Sequence, residues 1–141
     1  MKVDIITRHS VPNYGSLLQS YATQKTIEEM GFESEIINYT RYEERYRNLV
    51  NSLIKGKKWD KNIITRAIYK IIQTPNYAKM YKKFEKYRKN FLKESNLVYG
   101  NLQELKDNVP EADVYCSGSD QIWGKIGKSE FDEAYFLKFV N

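Results

Sequence analysis

Lys2-Val3-Asp4-Ile5-Ile6-Thr7, then Gly15 through Met30-Gly31, then Glu33-Ser34-Glu35-Ile36-Ile37-Asn38-Tyr39 decide the fold class. The first run is dominated by β-branched residues and reads as a strand. Leu17, Leu18, Tyr21, Ala22, Ile27 and Met30 approximate helical spacing, and Gly31 falls where a helix needs a left-handed residue to stop. A second strand centred on Ile36-Ile37 follows. Strand, helix, glycine stop and strand within about forty residues make a βαβ unit, whose strands must lie parallel. The expected architecture is an α/β, Rossmann-like parallel sheet with flanking helices.

Working outward, residues 41–94 change character. They hold 16 Lys/Arg against 5 Asp/Glu, a net +11, while the rest of the chain carries −6 of the overall +5. Ile63, Ile64, Ala67, Ile68, Ile71 and Ile72 share one helical face, and Pro75 is expected to end that helix. Tyr77, Met80, Tyr81, Phe84, Tyr87 and Phe91 give a second stripe, ringed by lysines. The stretch reads as a basic helical insertion in a single domain spanning 1–141. Its charge suits a solvated face first, an anionic membrane surface contacted through 55–93 second, and nucleic acid third.

Beyond the insertion, Asn101–Asn108 is predicted to be a short helix, capped by Asn101 with Glu104 three residues on. Asp113-Val114-Tyr115-Cys116-Ser117 reads as a third strand, and Phe131–Val140 as either a strand or a short helix. The 141 residues contain one cysteine, Cys116, and no apolar run long enough to span a bilayer. A reducing, cytoplasmic setting is therefore expected. Cys116 reads as a small buried apolar residue before a nucleophile.

Ligands of parallel sheets bind outside the carboxyl ends of the strands. Two loops leave on that side: Arg8, His9, Asn13, Tyr14, Gly15 and Ser16 with Gln19 just beyond, and Gly118, Ser119, Asp120, Gln121 and Trp123. Gly15 permits close backbone approach, or Asn13-Tyr14-Gly15 is simply a turn. Asp120 and Gln121 offer the acceptor and mixed donor–acceptor that sugar hydroxyls require, or Asp120 caps a helix starting at Gln121. Trp123 is a core residue or a stacking face. His9 is the one histidine, suited to proton transfer near neutral pH or incidental in its loop. Neither a glycine-rich dinucleotide fingerprint, a phosphate loop, a His-Glu-x-x-His nor paired cysteines occurs, so no metal site is expected from this chain alone.

Three segments taken in order resemble the start of polysaccharide pyruvyl transferase family proteins. They are Ile5-Ile6-Thr7-Arg8-His9, the run from Asn13-Tyr14-Gly15-Ser16-Leu17-Leu18-Gln19 to Gln24, and Gly31-Phe32 through Tyr39. Gly118-Ser119-Asp120-Gln121-Ile122-Trp123 is similar to that family's most distinctive short motif, and Tyr135-Phe136-Leu137-Lys138-Phe139 to the segment after it. The chain departs from the pattern at Gly124, where asparagine is usual.

The resemblance implies the N-terminal half of a longer enzyme, with two Rossmann-like halves in a glycosyltransferase-B-like arrangement around a cleft. The chain is thus expected to be truncated, lacking a C-terminal domain, and inactive alone. The implied reaction moves a pyruvyl group from phosphoenolpyruvate, a donor substrate rather than a cofactor, to two hydroxyls of a sugar. It forms a cyclic ketal in cell-surface polysaccharide biosynthesis, on a sugar or lipid-linked oligosaccharide acceptor. His9 and Asp120 are then the catalytic candidates, with Asp120 and Gln121 on acceptor hydroxyls, Tyr14 or Trp123 stacking, and Arg8 or His9 toward the donor. Rival expectations are a glycan-modifying transferase using a nucleotide sugar and a non-catalytic binding module.

Overall fold

The structure, a computed structural model, describes residues 1–54, 60, 62–118, 120–124 and 131–140, with the backbone alone at 47, 49, 52, 53, 120 and 121. Four strands form one sheet: β1 (Lys2–Ile6), β2 (Glu33–Tyr39), β3 (Glu94–Tyr99) and β4 (Val114–Ser117). Their order is β3-β2-β1-β4, and all three pairings are parallel. That is the order of a Rossmann-like half-sheet, in agreement with the expected class.

Helices α1 (Tyr14–Glu29), α2 (Tyr46–Ile54), α3 (Ile63–Phe91) and α4 (Leu102–Asp107) supply the connections. Adjacent Ile5 and Ile6 are both fully buried, because each faces a different covered side of the sheet. Ile5 joins Ile36, Leu17, Phe84 and Leu92 beneath α1 and α3. Ile6 joins Ile37, Tyr39, Tyr99, Leu105, Ile122, Tyr135 and Phe139 on the opposite face. Gly31, at φ +87°, stops α1 as expected.

Two expectations are corrected. Residues 94–99 form a strand, so the helices between residues 41 and 94 are the connection from β2 to β3, and 113–117 belongs to the fourth strand. β3 lacks a clean alternation because its register shifts against β2 between Ile36 and Asn38. There the Ser95 hydroxyl stands in for the ladder, accepting from the Asn38 N–H at 2.9 Å. Pro75 does not end the helix; α3 runs through it for 29 residues. The proline lies on the exposed side, where the backbone carbonyl it leaves unbonded can meet water. The tail resolves as a 3-10 turn, Glu133–Phe136, closed by Leu137 in the left-handed conformation.

α4 is capped as predicted: the Asn101 side chain accepts from the Glu104 N–H at 2.9 Å, and the Glu104 carboxylate accepts from the Gly100 N–H at 2.7 Å. Cys116 is half-buried, and burial pushes its thiol pKa up, away from the reactive thiolate.

Candidate functional site

In the order β3-β2-β1-β4 the chain builds outward from β1 to one side and then returns to its other side. The loops after β1 and β4 therefore diverge at a switch point, where ligands of this architecture bind. Ile6 pairs with Ser117, and the Gly118 N–H donates to the Ile6 carbonyl at 3.1 Å. The two loops singled out in the sequence thus start side by side.

A short polar seam holds them. Thr7 Oγ1 donates to Gln19 Oε1 at 3.0 Å, and Gln19 Nε2 donates to Thr23 Oγ1 at 3.0 Å. Ser117 Oγ donates to the Tyr135 carbonyl at 2.7 Å and accepts from Trp123 Nε1 at 3.1 Å. The indole is therefore oriented, yet 51% of Trp123 is exposed while its neighbour Ile122 is buried. The structure puts Trp123 outside the core, with a face open at the rim. Asp120 and Gln121 open the 3-10 turn Asp120–Trp123 directly beyond β4; Ser119 lies outside the described residues.

Other predicted residues are placed elsewhere. Asn13 is the N-cap of α1, its side chain accepting from the Ser16 N–H at 3.2 Å. Gly15 sits inside the first helical turn without a positive φ; a Cβ there would come 3.1 Å from Asn13 Oδ1, so the glycine makes room for the cap. Tyr14 points along α3, its ring 4.7 Å from that of Phe84, and lines an apolar slot of about 310 Å³ with Leu17, Leu18, Tyr21, Tyr87 and Phe91.

His9 is fully buried, not presented by an open loop. Its Nδ1 lies 3.1 Å from the Thr7 carbonyl and its Nε2 3.6 Å from Glu94 Oε1, while Glu94 is held bidentately by Arg88 at 2.7 and 2.8 Å. Burial, then the Arg88 charge, lowers the His9 pKa, so the ring is neutral with its proton assigned to Nδ1. The imidazole anchors the loop from within.

Arg8 leads to residues the sequence reading did not name. Its guanidinium contacts Glu44 Oε1 at 2.6 Å, and Arg41 reaches the same oxygen at 2.8 Å. Arg41 also lies 3.9 Å from Asp132, which accepts from the Tyr39 hydroxyl at 2.8 Å. Burial, then the Asp132 charge, drives the Tyr39 pKa far up, so the phenol stays protonated. Next to this network, a cavity of about 400 Å³ opens at the carboxyl ends of β2 and β3, walled in part by Arg41, Tyr42, Asn101, Phe131 and Asp132. The signal for it was available: if ligands gather outside strand ends, the turn after β2 deserves the scrutiny given to those after β1 and β4.

Among the described residues no group of three or more His, Cys, Asp or Glu side chains could hold a metal ion. The arrangement offers instead an oriented indole, two partly buried arginines sharing one buried carboxylate, and a cavity combining aromatic rings with polar side chains. It lies at the strand-carboxyl edge of a Rossmann-like domain, the edge at which folds of this class bind their ligands. The chain belongs to the polysaccharide pyruvyl transferase family, whose model matches residues 13–141. No curated protein and no solved structure gives a match.

Proposed function

We propose that this chain forms the acceptor-binding side of an enzyme that transfers a pyruvyl group from phosphoenolpyruvate to two hydroxyls of a sugar, giving a cyclic ketal and inorganic phosphate. The observation that carries the reading is the juxtaposition of the loops after β1 and β4 at the switch point, in a chain of this family. A pyranose ring stacked on Trp123 would bring its hydroxyls to the turn that carries Asp120 and Gln121. The neighbouring cavity, with Tyr42 and Phe131 as apolar walls and Asn101 and Asp132 as polar ones, suits the next sugar of a polymer.

Chemically, a proton is added to the methylene carbon of the donor, which becomes the methyl group. One sugar oxygen attacks the adjacent carbon and gives up its proton, the carbon–oxygen bond to phosphate breaks, and the second sugar oxygen attacks, losing its proton in turn. Asp120 is our candidate to accept a hydroxyl proton. In the two-half arrangement that the family implies, the donor's phosphate and carboxylate would be met by the half facing this edge.

The test is phosphate release from phosphoenolpyruvate that requires a saccharide acceptor, measured on the native gene product. Asp120→Ala should lower turnover by about a hundredfold or more, as expected for loss of a general base. Turnover and acceptor affinity unchanged in that variant would sink the role of Asp120. Saturable binding of a nucleotide sugar, without phosphate release from phosphoenolpyruvate, would replace the reaction with the rival transferase chemistry.

A further inference from the structure

The outward side of α3 changes chemistry halfway along the helix. Positions 64, 68, 71, 75, 79, 82, 86 and 89 follow one another by three or four residues, so they make one stripe. Its first three members are isoleucines and its last four lysines, with Pro75 between them. Ile63 and Ile72 widen the apolar part, and all five isoleucines are at least half exposed, Ile63 to 84%. No residue from 63 to 83 is buried. Monomeric proteins rarely leave so continuous an apolar patch in water.

The cationic part is equally unpartnered. Among the described residues Lys79, Lys82, Lys83 and Lys86 make no ion pair, while Lys89 pairs with Glu85, at 3.1 Å on the surface, and its charge also reaches Glu94. The helix as a whole carries eight Lys/Arg and one acid.

We propose that this face of α3 docks on an anionic membrane surface, with the isoleucines entering the acyl boundary and the lysines resting on headgroup phosphates. An anionic bilayer presents an apolar phase and negative charge in one plane, which matches both halves of the stripe. A nucleic acid would satisfy the lysines and leave the isoleucines in water. A second copy of the chain, packed isoleucine on isoleucine, would leave the lysines without a counter-charge. No helix among the described residues is long and apolar enough to cross a membrane, so α3 lies on the surface.

The experiment is cosedimentation of the whole chain with vesicles of phosphatidylcholine alone, or of phosphatidylcholine and phosphatidylglycerol in equal parts. Binding should appear with the mixed vesicles and fade as salt is raised. Each lysine near such a surface is worth about fivefold in affinity. Replacing Lys79, Lys82, Lys83 and Lys86 together by glutamine should therefore weaken binding by more than tenfold. Ile64→Ser, Ile68→Ser and Ile71→Ser combined should weaken it about tenfold or more. If circular dichroism shows that the serine set costs helix, the glutamine set still decides, since those side chains bond to nothing among the described residues. The proposal is overturned if the unmodified chain ignores the mixed vesicles, or if neither variant weakens binding. It is equally overturned if the chain is a dimer without lipid that Ile→Ser substitution dissociates, or if it binds a DNA duplex but no vesicle.

Discussion

Gln19 reaches into the space that residue 118 leaves empty: its Nε2 is 3.2 Å from where a Cβ on Gly118 would stand. The same amide joins Thr7 to Thr23, so the absent side chain lets α1 close over the junction of β1 and β4. Gly118→Ala should push Gln19 aside and weaken that seam, at a cost of about 1 kcal/mol. Gly118→Val, which would also crowd Ile5 and Thr23, should cost about 2–3 kcal/mol. Urea midpoints measure both; an unchanged midpoint for the valine variant would contradict the packing.

Trp123 combines a fixed indole N–H with a half-exposed ring. If it is the sugar platform, Trp123→Ala should weaken saccharide binding by about tenfold, and Ser117→Ala, which frees the ring, by a few-fold. Isothermal titration calorimetry with pyranose oligosaccharides reads this in every chain. Equal affinities in all three chains would remove Trp123 from the site.

Glu44 holds two guanidinium groups with one buried oxygen. Glu44→Gln should destabilise the fold by about 2 kcal/mol, because Arg8 and Arg41 lose their shared charge partner. Glu44→Ala should cost at least as much. Denaturant unfolding of either variant provides the check, and a loss under about 0.5 kcal/mol would show the bridge to be dispensable.

His9 gives the fold a pH signature. Burial and the Arg88 charge lower its folded pKa below the ordinary value near 6.5, so below that pH the unfolded chain takes up a proton that the folded one refuses. Stability should be independent of this group above about pH 6.5 and fall as pH drops below it, by at most about 1.4 kcal/mol per pH unit. His9→Gln should flatten the profile between about pH 7 and 5.5. A variant whose slope matches the unmodified chain would reassign the effect.

The β1–α1–β2 unit was legible because each cue agreed with its neighbours: branched residues at Val3, Ile5 and Ile6, helical spacing after Ser16, and a stop at Gly31. β3 was not, because Leu97 and Val98 are both exposed and the register shift spoils the period of two. Pro75 misled for a geometric reason: on a solvated face the carbonyl it frees is hydrated, and no local rule states which face a proline occupies. The two loops of the candidate site were readable from strand order alone, but the roles within them were not. Nothing in the neighbourhood of His9 tells that Glu94, 85 positions later, folds over it, and nothing near Arg8 announces Glu44. Those contacts depend on how β2 and β3 are laid against β1.

The absence of any buried residue between 63 and 83 also governs how the molecule loosens. The opening turns of α3 have little tertiary contact to retain them, so their amides should exchange with solvent through local fraying, at a free energy far below that of the global transition. Those of Ile5 and Ile36 should exchange only when the whole sheet comes apart. Heating followed by far-ultraviolet dichroism would then show helix melting ahead of the cooperative step, whereas resolved NMR ring signals of the packed Tyr39–Tyr135 pair would report that step alone.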